Sequence, residues 1–330
     1  MKPNEADLEV FVLTYNRSSF LHQTLTSLCN QTLSGFRIVV LDNGSTDDTP
    51  EIVKIFEPCG VELNRSERNL GGLENFKRAQ KLASRSWVMV FHDDDLLHPA
   101  YIEVAMDLIN KYKNVVLVES AMSFEENPTN DYWPNVSTDI VCCKKPSDIA
   151  ALFYRGLPLH FASAIYRTDL FKQTFVEWET YGKVGDRPFL LDIAKQGTTV
   201  VLKEPYVKYR CHPGQDCVDS KTGPFIHQLI ALHRKYYQLL GCNPLVSSGR
   251  VFLANNYKQL CNEYGNLIEK HQLTQKEYIK RAMQEDASTK SAILYGWFKK
   301  RTCDRVFTIL IKIKRVIVRG ENKWQSRNLL

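Results

Sequence analysis

Three consecutive aspartates, Asp93, Asp94 and Asp95, form an unbroken acidic run in the sequence. Carboxylates this close repel one another, and in a crevice each raises the pKa of its neighbours unless a cation neutralises them. Such oxygen ligands suit a hard divalent cation, Mg²⁺ or Mn²⁺, which also binds the phosphate oxygens of a substrate. The run therefore predicts a metal site, with a solvated acidic turn before the helix near Pro99 as the alternative interpretation.

Two other polar clusters have a similar place in the sequence, directly after a run of apolar and β-branched residues. Such runs, bounded by turn-forming residues, are typical of buried strands. The polar residues at the three strand ends are Thr14, Tyr15, Asn16 and Arg17 after the run 8–14, Asp42 and Asn43 after the run 36–41, and the aspartates after the run 87–91. We therefore expect chemistry-bearing side chains from three different strands.

Helical patterns alternate with these strand-like runs from residue 8 to residue 91. The order β-α-β-α-β-α-β predicts an α/β fold, with a doubly wound, mostly parallel sheet and helices on both of its faces. In an open sheet of this kind, ligands bind beyond the carboxyl ends of the strands. The three polar clusters should therefore converge on one crevice.

The pattern becomes less regular after residue 99. Residues 123–145, which contain the pairs Asn-Pro and Trp-Pro, predict an irregular surface excursion. From about residue 225 onward the pattern is helical. We therefore expect an α/β domain over residues 1–215 and a helical region over residues 216–330. The other expected elements are helices over 99–113 and 187–195 and strands over 115–120, 162–166 and 198–203.

The net charge of +6 is concentrated at the end of the chain. Residues 297–330 contain ten Lys and Arg residues and two acidic ones, a charge of +8, which leaves −2 on the remaining chain. The basic residues between 301 and 319 fall on one face of a predicted helix, opposite an apolar stripe. Such a helix either lies on an anionic membrane surface or packs on this domain or on another subunit. The flanking Trp297 and Trp324 form no stacking platform, so we expect no nucleic-acid partner.

The remaining features concern the cellular compartment. The first residues lack the apolar core of a secretory signal, and no apolar run approaches the length of a membrane span. The nine cysteines are scattered without framework spacing, which is typical of reduced thiols. We therefore expect a cytoplasmic protein, in which the basic helix allows peripheral contact with the inner face of the cell membrane or self-association.

Four motifs in the first hundred residues resemble, in order and spacing, the nucleotide-sugar half of glycosyltransferase family 2, of the GT-A type. They are LTYNR at 13–17, VVLDNGSTD at 39–47, NLGG at 69–72 and FHDDDLLHP at 91–99. The resemblance continues through GDRPFLLDIAKQG at 185–197 and YRCHPGQ at 209–215. It covers about residues 8–215, roughly two-thirds of the chain.

The resemblance implies a nucleotide-sugar site at the strand ends. It places the Tyr15 ring against the base, and it leaves open whether Asp42 or Asn43 accepts the hydrogen bond from the base. It also implies that the backbone near Gly71 and Gly72 approaches the nucleotide. The complete implied set is Thr14, Tyr15, Asn16, Arg17, Asp42, Asn43, Asn69, Gly71, Gly72, Asp93 and Arg210.

The same resemblance implies a metal and a catalytic base. Asp94, Asp95 and His212 would bind Mn²⁺ or Mg²⁺, and Asp186 matches the general base. In two places the chain departs from the family pattern, because His92 stands where relatives have the first acid of Asp-x-Asp-Asp and Gly185 stands where they have the acid before the base. The alternative interpretation of Asp186 is that it caps the helix that follows.

The implied function is a metal-dependent, inverting transfer of a sugar from a nucleotide diphosphate sugar, with UDP as the expected nucleotide. The implied acceptor is a hydroxyl of a glycan, glycolipid or glycoprotein. The two departures from the family pattern motivate an alternative, a degenerate nucleotide-sugar-binding scaffold subunit of a glycosyltransferase complex. A nucleotide-sugar pyrophosphorylase is disfavoured, because residues 14–17 contain no glycine-rich loop.

Overall fold

Four parallel strands and the helices between them form the part of the molecule that leads to the aspartate run. The computed structural model describes residues 7–154 and 157–214, together with residues 228, 231, 232, 235, 236 and 239. The first elements are β1 (Leu8–Thr14), α1 (Ser18–Cys29), β2 (Arg37–Asp42), α2 (Thr49–Ile55), β3 (Val61–Arg65), α3 (Gly72–Leu82) and β4 (Trp87–His92). They confirm the alternation that the sequence predicts.

The second half of the domain mixes short strands with helices. Its elements are β5 (Leu96–Leu97), α4 (Tyr101–Lys111), β6 (Val115–Glu125), β7 (Ile140–Cys143), α5 (Pro146–Tyr154), β8 (Ile165–Arg167), α6 (Thr168–Gln173), α7 (Trp178–Tyr181), α8 (Asp186–Ala194) and β9 (Thr198–Arg210). Single 3₁₀ turns occupy Glu57–Cys59, Phe161–Ser163 and Gly182–Val184.

The nine strands of the described residues belong to one sheet, in the order β3-β2-β1-β4-β8-β6-β9-β5, with β7 beside β9. The ladders among β1, β2, β3 and β4 and the long ladder between β6 and β9 are parallel. Strand β8 runs antiparallel to both β4 and β6. The mostly parallel α/β sheet is therefore confirmed, with antiparallel insertions in its second half.

Apolar periodicity explains how the first helix docks on the sheet. Leu21, Leu25 and Leu28 recur on one face of α1 and are 0%, 0% and 1% exposed. They belong to the same core as Val10 and Val12 of β1. Burying each such side chain contributes roughly 1.5–3 kcal/mol, so the start of α1 is held firmly beside the end of β1.

The predicted excursion over residues 123–145 is only partly irregular. Strand β6 continues to Glu125, and β7 occupies residues 140–143. Likewise β9 continues to Arg210, beyond the expected end at residue 203. Pro205 has no N–H to donate to a ladder, but the register shifts on either side of its pairing with Ala121 accommodate it as an irregularity in the ladder.

The described residues beyond position 216 pack on the α/β domain. The Tyr236 ring stacks on Phe153 with a centroid distance of 4.2 Å. Lys235 Nζ donates to Asp192 Oδ2 at 2.6 Å and to Glu177 Oε1 at 2.7 Å. The predicted basic helix over residues 301–319 lies outside the described residues, and the domain boundary at residue 215 stays a prediction. In the described part of the chain, no helix is both long and apolar enough to cross a membrane.

Candidate functional site

Strands β1, β2 and β4 end side by side at one edge of the sheet. Thr14 pairs with Asp42 across β1 and β2, and Leu13 pairs with His92 across β1 and β4. Because the strands are parallel, the loops that follow them leave the sheet in the same direction. The structure therefore brings the three polar clusters together, as the sequence pattern predicts.

The three aspartates lie at the centre of this edge and are almost fully buried, with exposures of 3%, 5% and 0%. Arg17 Nη1 lies 3.2 Å from Asp93 Oδ1 and 3.1 Å from Asp94 Oδ2. His212 Nε2 lies 3.0 Å from the same Asp94 oxygen. Asp95 Oδ2 lies 3.1 Å from His92 Nδ1. Each carboxylate thus faces a cationic or imidazole group.

The crowding of these groups changes their protonation. Burial and the charge of Asp94 raise the pKa of Asp93 to about 6, against the opposing effect of Arg17. Burial also raises the pKa of Asp95. For His92, burial alone would lower the pKa, but the hydrogen bond to Asp95 and the neighbouring negative charges raise it to about 9. The cluster therefore favours a bound cation.

One compact group in this cluster could hold a metal ion. Donor atoms of His92, Asp94 and Asp95 all lie within 4.8 Å of one another. One imidazole nitrogen and two carboxylates are a donor set that fits a divalent cation. His212, the histidine expected from the family resemblance, lies 3.0 Å from Asp94 Oδ2, and the structure adds His92 as a second candidate ligand.

Arg210 fastens the last strand to the aspartate run. Its backbone N–H donates to Asp95 Oδ1 at 3.0 Å and its Nε to the carbonyl of Asp94 at 2.8 Å. Its Nη2 donates to Gln23 Oε1 at 2.6 Å, and its guanidinium lies 4.7 Å from the centre of the Phe20 ring. Arg210 therefore fixes the position of the aspartates and brings positive charge to the site.

The loop after β2 is closed by hydrogen bonds within the domain. Asp42, 0% exposed, accepts from the Ser45 N–H at 2.9 Å and lies 3.2 Å from Arg65 Nε. Asn43 Nδ2 donates to Asn69 Oδ1 at 2.8 Å. Both candidates for the base contact are therefore held in place, and Asn43 links this loop to the predicted Asn69 segment.

Gly44 lets the two loops approach each other. Its φ is +75°, which favours glycine, and a Cβ at this position would lie 2.6 Å from the Arg68 carbonyl carbon. A Cβ on Gly71 or Gly72 would instead meet nothing within 4 Å. The predicted glycine pair thus borders open space, which leaves its backbone accessible.

The loop after β1 forms the rim of the site. Asn16 bridges to the next loop, because its N–H donates to Ser45 Oγ at 2.9 Å and its Oδ1 accepts from the Thr46 N–H at 2.7 Å. Thr14 is buried, whereas Tyr15 is 40% exposed. The Tyr15 ring is therefore available for stacking at the edge of the crevice.

Asp186 is the first residue of α8 and is partly exposed. Gly185 occupies the capping position, and no side chain among the described residues caps this helix, so the structure shows no capping role for Asp186. Burial raises the pKa of the Asp186 carboxyl, although the nearby Arg187 charge opposes the shift. A Cβ on Gly185 would lie 3.0 Å from the Gly182 carbonyl oxygen, which leaves little room for the acid that relatives have there.

Glu119 is a buried acid that the sequence analysis does not single out. It is 0% exposed on β6, and its Oε2 accepts from the His160 N–H at 2.6 Å. In the described part of the chain its Oε1 has no hydrogen-bond partner, and neither has the buried Tyr166 hydroxyl. Burial raises the pKa of Glu119 well above its usual value. The only sequence signal was a lone acid within an apolar strand.

Replacing Glu119 by glutamine should increase the free energy of unfolding as the pH rises above 4.5, by about 1.4 kcal/mol for each pH unit up to the raised pKa of the buried carboxyl. Ionising a buried carboxyl costs the folded state free energy, and this cost begins as the pH passes the ordinary value of 4.5. Glutamine keeps an acceptor for His160 but cannot ionise. Denaturant titrations at several pH values measure the difference, with Glu126→Gln, an exposed acid, as the control. A difference that shrinks as pH rises would contradict a raised pKa of Glu119.

Comparisons of the sequence with known proteins identify its family. A family model described as glycosyl transferase family 2 matches residues 9–175. An uncharacterized glycosyltransferase of Haemophilus influenzae is 24% identical over 223 residues, which are 63% of this chain and 66% of that protein. The putative glycosyltransferase EpsH of Bacillus subtilis is 23% identical over 230 residues, which are 68% of this chain and 61% of that protein. This chain therefore spans less than two-thirds of the length of each relative.

A solved structure shows the same fold. TarS of S. aureus, crystallised as residues 1–349 in complex with UDP-GlcNAc, superposes with a TM-score of 0.57 at 19% identity. The superposition covers 71% of this chain and 70% of that one. The family model, which spans half of the sequence, and the clustered strand-end motifs agree, and the chain belongs to glycosyl transferase family 2.

Proposed function

We propose that this chain is a metal-dependent, inverting glycosyltransferase that moves a sugar from a nucleotide diphosphate sugar, with UDP as the nucleotide, to a hydroxyl group of a glycan, glycolipid or glycoprotein. The main support for this proposal is the convergence of three loops on one cluster. Three loops, after β1, β2 and β4, converge on buried carboxylates that are flanked by arginine and histidine. Such a cluster can hold a divalent cation, and this cation together with the flanking arginine would place positive charge beside the diphosphate of a sugar donor.

The nucleotide would lie along the loops after β1 and β2. The exposed Tyr15 ring can stack on the base. Asp42 or Asn43, which are held by contacts with Ser45, Arg65 and the Asn69 loop, would accept a hydrogen bond from the base. Because those contacts already fix both side chains, the base would meet a prearranged surface.

The diphosphate would face the aspartate run. Asp94 and Asp95 would hold Mn²⁺ or Mg²⁺ together with a histidine nitrogen, and the bound cation supplies positive charge beside the departing diphosphate. Arg17, whose side chain is 27% exposed, can turn from Asp93 and Asp94 toward a phosphate oxygen. Arg210, held between Asp94 and Gln23, adds a fixed positive charge.

Asp186 would act as the general base. In a single displacement, the acceptor oxygen forms a bond to the anomeric carbon while the bond from that carbon to the phosphate oxygen breaks. The acceptor proton passes to the Asp186 carboxylate, and the electron pair leaves with the nucleoside diphosphate. Attack from the face opposite the leaving group inverts the configuration. Because burial raises the pKa of Asp186, its carboxylate is a stronger base than an exposed aspartate.

The location and the acceptor class belong to the same proposal. A cytoplasmic site of action belongs to the proposal. The charge of +8 on residues 297–330 supports placing the segment 301–319 at the inner face of the cell membrane or at a subunit interface. The acceptor is a glycan or a lipid-linked or protein-linked molecule that offers its hydroxyl to Asp186.

Donor hydrolysis without an acceptor tests the proposal directly. The full chain is incubated with Mn²⁺ and a set of nucleotide sugars, and nucleotide release is measured. Because the TarS structure contains UDP-GlcNAc, this donor comes first. We expect slow release of UDP that a chelator abolishes, and a Tm that rises with the bound donor.

Two results would contradict the proposal. If a nucleotide sugar raises the Tm but no nucleotide is released with any donor or acceptor, the protein is the nucleotide-sugar-binding scaffold that His92 and Gly185 suggest. Release of nucleotide that is equally fast in chelator would leave a transferase but remove its metal dependence.

A further inference from the structure

We infer that His92 binds the metal ion of the proposed transferase through Nδ1, and that this nitrogen makes the site prefer a first-row transition ion such as Mn²⁺ over Mg²⁺. The inference rests on the proposed metal-dependent function. It assigns a role to the position at which this chain departs from the family's acidic pattern.

The first support is the position of the imidazole nitrogen. His92 Nδ1 lies 3.1 Å from Asp95 Oδ2, and the donor atoms of His92, Asp94 and Asp95 lie within 4.8 Å of one another. Donor atoms this close can bind one ion with only small rotations of their side chains, because ligands on a common ion at about 2.1 Å stand roughly 3 Å apart. The histidine thus occupies the place of a ligand, which Nδ1 takes up when the ion displaces its proton.

The second support is that the ring is held in its orientation. Phe161 stacks on the His92 ring with a centroid distance of 5.8 Å and an angle of 20° between the planes. Phe161 itself packs on Phe76, at 5.7 Å, and on Tyr166, at 6.2 Å. The His92 side chain is 35% exposed, so it is packed on one face and accessible from the crevice.

The chain segment behind Phe161 is fixed as well. Ser163 Oγ donates to the carbonyl of Ser120 at 2.9 Å, and the Ser120 N–H donates back to Ser163 Oγ at 3.1 Å. The His160 N–H is bound by Glu119. A ligand that is positioned before the ion arrives loses less freedom on binding, which strengthens the site.

His212 is the competing nitrogen donor. Its Nε2 lies 3.0 Å from Asp94 Oδ2, and its ring lies 4.8 Å from Phe20. It does not belong to the compact group that His92 forms with Asp94 and Asp95. The geometry therefore favours His92, and an experiment has to distinguish the two histidines.

The chemical consequence concerns metal choice. Mg²⁺ prefers oxygen ligands in a near-ideal octahedron, whereas first-row transition ions accept imidazole nitrogen readily. A histidine in place of an aspartate removes an oxygen donor and one negative charge. The lost charge weakens all divalent ions alike, but the exchange of an oxygen donor for a nitrogen donor weakens Mg²⁺ more than Mn²⁺ or Co²⁺. The departure at His92 should therefore appear as metal selectivity.

Pulsed electron paramagnetic resonance of Mn²⁺ on the full-length protein tests the assignment, because it detects nitrogen bound to the ion whether or not the enzyme turns over. We expect a nitrogen signal in the wild type that is lost in His92→Gln and kept in His98→Gln, a matched variant of a histidine that packs on Trp133 and Tyr206. Equilibrium titrations should show Mn²⁺ binding at least about tenfold tighter than Mg²⁺ in the wild type.

The variant His92→Asp restores an oxygen donor. It should bind Mn²⁺ without the nitrogen signal and narrow the difference between Mn²⁺ and Mg²⁺ affinity. It also provides the test if His92→Gln fails to fold, which thermal unfolding would reveal.

Three outcomes would overturn the inference. They are a nitrogen signal that survives in the His92 variants and disappears in His212→Gln, Mn²⁺ bound without any nitrogen signal in the wild type, and no Mn²⁺ binding at all. UDP release measured on the same samples distinguishes a failure of the His92 inference from a failure of the proposed function. Release that depends on Mn²⁺ without nitrogen coordination by His92 leaves the proposed function intact.

Discussion

Replacing Asp186 by asparagine should lower the rate of sugar transfer by about a hundredfold to ten-thousandfold while donor binding stays unchanged. Asparagine has nearly the shape of aspartate, but its amide cannot take the proton of the acceptor hydroxyl. Asp186 lies on α8, whereas the donor contacts come from the loops after β1, β2 and β4. Transfer rates, with the donor affinity measured separately by calorimetry, distinguish the two effects.

The pH dependence of transfer gives the same prediction a second measurement. Burial raises the pKa of Asp186 above the ordinary value of 3.8. Below its pKa the base carries a proton and is inactive, so the acidic limb of the rate profile should lie at higher pH than for an exposed aspartate. This limb should be absent from the residual activity of Asp186→Asn.

Asp169→Asn is the matched control for Asp186→Asn, since Asp169 lies on the surface, in an ion pair with Arg167. It should transfer sugar at the wild-type rate. Full transfer activity in a folded Asp186→Asn protein would remove Asp186 from the mechanism, and the base would have to be sought elsewhere.

The sequence predicts the first half of the fold well because that half is built from local patterns. β1 was expected over residues 8–14 and is found there, and β4 was expected over 87–91 and ends at His92. Each of these strands is an apolar run bounded by turn residues, so periodicity suffices to locate it.

The second half was harder to predict because its strands depend on distant partners. The end of β9 pairs with β6 through register shifts around Pro205, a residue that locally argues against a strand. β7 pairs with β9 although the two are far apart in sequence, and β5 has only two residues. No pattern within a short window encodes such pairings.

For the candidate site, residue types were accessible from the sequence but contacts were not. The acids at the strand ends could be identified, and parallel topology predicts that they meet. That Arg17 contacts Asp93 and Asp94, 76 and 77 residues away, depends on how the loops close. Similarly, only the structure shows that His92 Nδ1 lies 3.1 Å from Asp95 Oδ2.

Replacing Asp94 by alanine should abolish the effect of Mn²⁺ on donor binding, which should weaken at least about a hundredfold in the presence of the ion. Asp94 is the carboxylate shared by the candidate metal group, by Arg17 and by His212. Asp95 alone should not compensate, because the loss of Asp94 leaves the candidate metal group with one carboxylate and one imidazole. Calorimetry of UDP-sugar binding with and without Mn²⁺ measures the loss.

The fold should survive this change, which makes the result interpretable. Without Asp94, Arg17 still has Asp93 at 3.2 Å and the Gly214 carbonyl at 3.1 Å, and the like-charge repulsion within the run decreases. Asp107→Ala, on the exposed face of α4, is the matched control and should bind the donor as the wild type does. If Asp94→Ala keeps a donor affinity that rises with Mn²⁺, the aspartate run does not hold the ion, and its burial at the strand ends would need a different explanation. If the donor affinity is lost equally with and without Mn²⁺, Asp94 contacts the donor itself, and the ion lies elsewhere on the cluster.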